Sequence, residues 1–251
     1  MVTFIGAGPG AVDLITVRGK TLLETADIVI YAGSLVNPGL LDYTKKSCEI
    51  FNSAEMTLEQ VIAVMERGER EKKSTVRLHT GDPSIYGAIR EQMDMLTERG
   101  IEYTVVPGVS SFCGAAAALK AEYTLPDVSQ TLILTRMEGR TPVPEREEIS
   151  KLAAHKSSMA LFLSSSLLEE LSSRLIAGGY EASTPAAIVY KATWPDEKIV
   201  RTCVGELYKA AKENNINKTA LILVGDFLGS VYSRSKLYDP AFSHEFREAV
   251  K

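Results

Sequence analysis

The sequence predicts an α/β protein of two α/β domains, the N-terminal one built on a mostly parallel sheet and the C-terminal one on a mixed sheet. Three observations predict it. Through the first half, short apolar runs alternate with amphipathic stretches of helical period, the pattern of a parallel sheet covered on both faces. In the second half, two apolar runs flank a short turn-rich link at Trp194-Pro195-Asp196-Glu197, which reads as an antiparallel hairpin. Between the halves lies a polar stretch, 121–130, carrying Pro126. The expected division is 1–120, 121–235 and a tail 236–251. A chain of 251 residues suits one large domain or two modest ones, at roughly 100–200 residues each.

The elements follow in order. Val2-Thr3-Phe4-Ile5-Gly6 is a strand at 2–6, and further strands are expected at 27–31, 47–51, 74–79 and 103–106. Helices are expected near 13–26, 57–70, 84–99 and 109–120. In 57–70, Leu58, Val61, Ile62 and Met65 recur on one helical face, and Thr57 with Gln60 forms a capping box. For 84–99, Asp82 suits the cap and Pro83 the first turn. The second half gives strands at 130–135, 159–164, 185–191, 197–203 and 219–225. In the tail, Phe242, Phe246 and Val250 at i, i+4, i+8 predict a terminal helix that docks, with a partner subunit as one surface for it.

Composition narrows the function classes. Hydrophobic residues at 45% and charged residues at 24% exclude disorder and collagen-like architecture. With 28 basic and 32 acidic side chains the net charge is -4, which argues against coating nucleic acid or anionic lipid by bulk charge. Cys48, Cys113 and Cys203 have no CxxC spacing, and their odd number is no disulfide framework. With three histidines, no structural zinc site is expected. No signal-peptide pattern opens the chain, and no apolar run approaches the roughly 20 residues of a membrane span. The expectation is a cytoplasmic protein without a membrane partner.

Gly6-Ala7-Gly8-Pro9-Gly10-Ala11 directly follows a strand and satisfies the letter of a dinucleotide fingerprint. Its confirming acid is missing: the second strand ends at Tyr31-Ala32-Gly33-Ser34, and Asp27 opens that strand instead of closing it. Pro9 also lacks an N–H. A nicotinamide grip therefore gives way to a ligand-facing turn of another kind. Gly19-Lys20-Thr21 resembles the end of a Walker A motif, but Leu14 stands where its first glycine belongs.

The loop Thr80-Gly81-Asp82-Pro83-Ser84-Ile85-Tyr86-Gly87 reads equally as a helix start or as a ligand loop at a strand's carboxyl end. In Val106-Pro107-Gly108-Val109-Ser110-Ser111-Phe112, the two serines cap a helix or bond a ligand. The absence of G-x-S-x-G excludes a nucleophile elbow. His79 is expected as a satisfied structural residue and Cys113 as a small core residue. The polar loop after 130–135 is either plain surface or presents Arg136 and Arg140 to carboxylates, which guanidinium bonds bidentately.

These loops, taken in order with Leu14-Ile15-Thr16-Val17-Arg18-Gly19 and Tyr31-Ala32-Gly33-Ser34-Leu35-Val36, resemble the tetrapyrrole (precorrin) methylases from Val2 to about Phe227. Segments 124–130, 135–142 and 189–195 most resemble the branch that methylates carbon 11 of precorrin-4 or cobalt-precorrin-4 in cobalamin synthesis. The resemblance implies S-adenosylmethionine as methyl donor, S-adenosylhomocysteine as product, and a cleft between the two domains that holds the cofactor. It also implies an anionic tetrapyrrole substrate and a homodimer.

Carried over residue by residue, it implies cofactor contacts from Pro9, Thr80, Gly81, Asp82, Ile85, Ser110, Ser111, Leu163, Ala192, Thr219 and Ala220. Leu163 stands where some relatives have methionine. Gly8 and Gly10 are expected beside the substrate, with Arg136 and Arg140 on its carboxylates. No catalytic side chain is expected, because alignment alone can contribute roughly 7–11 kcal/mol to such a transfer. The rivals are another methylase of the family, a nicotinamide-dependent oxidoreductase, a ribosomal RNA methylase, which would want a basic face, and a tetrapyrrole carrier.

Overall fold

The computed structural model describes residues 1–33 and 35–249. Two compact units make up the chain: Met1–Gly114 with Ala192–Asp196, and Ala115–Lys191 with Glu197–Lys251. The first break falls earlier than residue 120, and the segment 192–196 returns to the first unit.

The first unit is a five-stranded parallel sheet in the order β3-β2-β4-β1-β5. Its strands are β1 (Val2–Gly6), β2 (Ile28–Tyr31), β3 (Glu49–Asn52), β4 (Thr75–His79) and β5 (Tyr103–Val106). Alternation along the strands feeds two apolar layers. Ile5, Val29 and Leu78 join one cluster, while Phe4, Ile28 and Ile30 join the other. The helices are α1 (Val17–Thr25), α2 (Leu58–Arg70) and α3 (Arg90–Glu98), and α4 (Ser111–Leu119) begins in this unit.

On α2 the expected capping box is present. Gln60 N–H donates to Thr57 Oγ1 at 3.3 Å, and Thr57 N–H donates to Gln60 Oε1 at 2.8 Å. Val61, Ile62 and Met65 are buried on the Phe4 layer, each contributing roughly 1.5–3 kcal/mol when fully removed from water.

Two helices depart from expectation. The one near 13–26 is a 3-10 turn (Val12–Leu14) followed by α1, capped by Thr16, whose Oγ1 accepts the Gly19 N–H at 3.1 Å. The one expected at 84–99 begins only at Arg90. Tyr86 and Ala88 have left-handed backbones, φ 54 and 48, which a right-handed helix does not contain. Gly87 packs so closely on the Pro83 carbonyl that an added Cβ would lie 2.1 Å from it.

The second unit is a mixed sheet in the order β6-β7-β10-β8-β9. Its strands are β6 (Leu132–Arg136), β7 (Ser158–Phe162), β8 (Pro185–Tyr190), β9 (Lys198–Cys203) and β10 (Ala220–Val224). Only β6 and β7 pair in parallel, and β8 with β9 is the expected hairpin. Helices α5 (Ile149–Ala153), α6 (Leu168–Ala177) and α7 (Leu207–Glu213) cover a core that includes Met159, Leu161, Leu171, Leu175, Ile188 and Ile222.

The tail contains no α-helix among the described residues, only a 3-10 turn at Lys236–Tyr238. The Arg247 guanidinium instead donates to the carbonyls of Leu237, Asp239 and Phe242. Phe242 and Phe246 are 42% and 87% exposed; Val250, like Ser34, lies outside the described residues. Cys113 is exposed on α4 and is not the core residue expected. No described helix is long and apolar enough to cross a membrane.

Candidate functional site

Parallel register sets the carboxyl ends of β4, β1 and β5 side by side, with Gly6 opposite His79 and Ile5 opposite Val106. The glycine-rich loop, the GDPSIYG loop and the VPGVSS loop therefore leave the sheet together, at the edge where open α/β folds bind ligands. The loops touch main chain to main chain. A Cβ on Gly6 would lie 2.5 Å from both Gly108 Cα and the Gly81 carbonyl oxygen, and one on Gly108 would lie 2.2 Å from that oxygen. Gly8 and Gly81, at φ 80 and 61, exchange two hydrogen bonds: Gly81 N–H to the Gly8 carbonyl at 2.9 Å and the reverse at 3.3 Å. The glycines thus let three loops pack on one another, at a turn expected to face a ligand.

Asp82 ties two of these loops. Its Oδ2 accepts the Gly108 N–H at 2.8 Å, and its Oδ1 accepts the Ser84 N–H at 2.8 Å and the Ser84 hydroxyl. Partial burial pushes its carboxyl up, but these bonds outweigh it and hold the group below its ordinary range. Of the helix-start and ligand-loop readings, the first fails, because the carboxylate serves Ser84 and Gly108 eight residues before α3. Ser110 is buried, and its Cα lies 3.4 Å from where a Gly81 Cβ would stand. Ser111 opens α4. Ile85 sits in the non-helical turn, its N–H on the Asp82 carbonyl at 3.2 Å.

Two polar atoms here have no hydrogen-bond partner among the described residues, Thr80 Oγ1 and His79 Nε2. His79 is buried, as a structural residue would be, but not satisfied; its ring stacks 6.0 Å from that of Phe4. Burial, with the Arg77 guanidinium second, pushes its pKa down to about 3. Arg77 is itself buried, bonded to Gln92 and the Ile30 carbonyl, and burial lowers it to about 10.

The buried Pro9 and Gly10 are held from outside their loop. Trp194 Nε1 donates to the Pro9 carbonyl at 3.2 Å, Asn37 Nδ2 to the Gly10 carbonyl at 2.8 Å, and the Ala11 N–H to Thr193 Oγ1 at 3.0 Å. Ala192 is 6% exposed, beside Gly10. The sequence reading gave no role to Asn37, Thr193 or Trp194. The only available signal was that the chain's single tryptophan sits in the hairpin link.

In the second unit, register gathers another group. Ile222 faces Leu161 and Ala220 faces Tyr190, so extending both ladders sets Leu163, Thr219 and Ala220 at one end of the sheet. Leu163 is left-handed (φ 52) and 64% exposed, and Thr219 is left-handed (φ 55). Arg136 reaches the same end, opposite Phe162. Its guanidinium is turned to its own loop, donating to the carbonyls of Met137, Thr141 and Pro142 at 3.1, 3.2 and 2.7 Å. Arg140 is exposed and makes no hydrogen bond or ion pair among the described residues. The expectation of two arginines presented alike therefore separates into one bound cation and one open one.

A family model described as Tetrapyrrole (Corrin/Porphyrin) Methylases matches residues 1–208. A relative from Methanocaldococcus jannaschii named cobalt-precorrin-4 C(11)-methyltransferase is 54% identical over 100% of this chain and 97% of its own. A crystal structure of a cobalamin biosynthetic enzyme, cobalt precorrin-4 methyltransferase, superposes with TM-score 0.89 at 52% identity, covering 91% of this chain and 96% of the other. A uroporphyrin-III C-methyltransferase from Thermus thermophilus, complexed with S-adenyl homocysteine, shares the fold at TM-score 0.75 and 21% identity, covering 91% of this chain and 93% of that one.

Proposed function

Because the chain belongs to the tetrapyrrole (corrin/porphyrin) methylases, we propose that it transfers a methyl group from S-adenosylmethionine to carbon 11 of cobalt-precorrin-4 in cobalamin synthesis. The observation that carries the reading is identity of 54% along the full chain with a relative bearing that activity in its name. Both that relative and the 52% identical crystal structure are named for the cobalt form, so the cobalt-bearing macrocycle is favoured over precorrin-4.

The residues suit such a cofactor. The buried Thr80 hydroxyl, without a partner among the described residues, matches a ligand rich in hydroxyl and carboxylate groups. When bound, S-adenosylmethionine supplies an already activated sulfonium methyl. In this reading Pro9, Thr80, Gly81, Asp82, Ile85, Ser110, Ser111, Leu163, Ala192, Thr219 and Ala220 hold it in line and exclude water. Such positioning contributes roughly 7–11 kcal/mol, and no side chain need act as acid or base. Gly8 and Gly10 would border the macrocycle through their backbone, and Arg140 would meet its carboxylates.

The three free cysteines, Cys48, Cys113 and Cys203, suit a reducing cytoplasm, and the proposal includes the cytoplasmic homodimer that the family resemblance implies. The test is mass spectrometry of cobalt-precorrin-4 and precorrin-4, each incubated with protein and S-adenosylmethionine. The expected result is one added methyl on the cobalt form, fixed to carbon 11 by NMR. Methylation at another carbon, or none with either substrate, would overturn the assignment.

A further inference from the structure

Three consecutive residues of the glycine-rich loop are each gripped by a side chain from elsewhere: Pro9 by Trp194, Gly10 by Asn37 and Ala11 by Thr193. The Trp194 grip is also steric. A Cβ on Gly10 would lie 2.1 Å from Trp194 Cδ1 and 2.3 Å from Nε1, so the indole occupies the space that glycine leaves open. The segment presenting it is strained to do so: Lys191 and Thr193 are left-handed at φ 46 and 69. Non-glycine residues hold such backbone where the surroundings over-determine it, often at ligand-binding sites. Nothing in hairpin chemistry requires a tryptophan here, since the β8–β9 ladder closes at Tyr190 and Lys198 without it.

We propose that Trp194 is a positioning residue for methyl transfer, acting through Pro9 and Gly10 to fix the glycine-rich loop against the loops after β4 and β5. The inference rests on the S-adenosylmethionine reading above and extends it to a residue outside the cofactor and substrate sets. Gly10 is then glycine to admit the indole, and any ligand that moves the loop changes the surroundings of the only tryptophan in the chain.

The test uses the full chain with S-adenosylhomocysteine as probe, followed by calorimetry and by tryptophan emission. S-adenosylhomocysteine should shift the emission of the unsubstituted protein. Trp194→Phe loses the indole N–H but keeps a ring, and should raise Kd roughly 3–10-fold while the ligand-free melting temperature stays within 2 °C, about 1 kcal/mol or less. Trp194→Ala should raise Kd further. Gly10→Ala should match it, and the double variant should add nothing, because one contact has been broken twice.

Unchanged Kd and methyl-transfer KM in both Trp194 variants, or additive effects in the double variant, would overturn the inference. If Trp194→Ala does not fold, Trp194→Phe decides alone. Should the unsubstituted protein fail to bind S-adenosylhomocysteine, the methyl-transfer reading falls and this inference with it. Normal binding with indifferent variants removes this inference only.

Discussion

The carboxylate of Asp82 accepts the backbone N–H of Gly108 at 2.8 Å, so a side chain from the loop after β4 fixes the loop after β5. The bond is charge-assisted, a class whose net contribution is about 1.5–3 kcal/mol. Asp82→Ala should lower the melting temperature by several degrees and raise the S-adenosylhomocysteine Kd about tenfold or more. Asp82→Asn keeps an acceptor and should lose less. Thermal melts and calorimetry on the two variants check the order.

His79 predicts an acid-side loss of stability. Its folded pKa is about 3, against about 6.5 in an unfolded chain. Between those values the unfolded state holds a proton that the folded state does not, so stability falls as pH drops through 6.5 toward 3. The slope reaches at most about 1.4 kcal/mol per pH unit. Asp27 and Glu49, held down to about 2 by hydrogen bonds from Lys45 and from Arg67, respectively, contribute stability that is present above about pH 4 and lost below it. His79→Gln should flatten urea-derived stability between pH 6.5 and 4; an unaltered slope there would remove His79 as its source.

Two glycines separate crowding from backbone strain. Gly100 is left-handed (φ 65) with nothing within 4 Å of an added Cβ, so Gly100→Ala should cost only about 1–2 kcal/mol of backbone strain. Gly108→Ala drives a methyl against backbone on two sides, at 2.2 Å from the Gly81 carbonyl oxygen and 2.7 Å from Gly6 Cα. Overpacking of this kind costs about 1–3 kcal/mol and sometimes more. Only this second variant should also weaken S-adenosylhomocysteine binding, as denaturant titration and calorimetry would show.

Arg136 and Arg140 should fail differently. Arg140→Ala removes an open cation and should raise the KM for the macrocycle several-fold with the melting temperature unchanged. Arg136→Ala leaves three carbonyls without their donor, so its main effect should be about 1–2 kcal/mol of stability. Equal KM effects with no thermal change in either would show that both guanidinium groups meet substrate.

Much of this was legible in the chain itself. Short, mainly apolar runs bounded by turn residues, such as 2–6, pointed to strands, the Thr57 and Gln60 pair marked the start of α2, and the order of loops was enough to point to the family. Those features are local, or repeat at the period of one element. The register of strands distant in sequence was not legible, and it decided the rest. It alone set Gly6 against Gly81 and Gly108, so that these glycines serve loop-to-loop packing. Asp82 turned to Gly108 and Ser84 and the helix moved to Arg90, because a cap bonds whichever donors the fold presents. Arg136 turned to its own loop's carbonyls, because a guanidinium bonds whichever acceptors the fold presents. Trp194 shows the limit most plainly. Its neighbours Pro9 and Gly10 stand some 185 residues away, and no spacing rule joins the tip of one hairpin to a turn at the other end of the chain. Only tertiary packing, which pairs surfaces by shape and unsatisfied hydrogen bonds, brought them together.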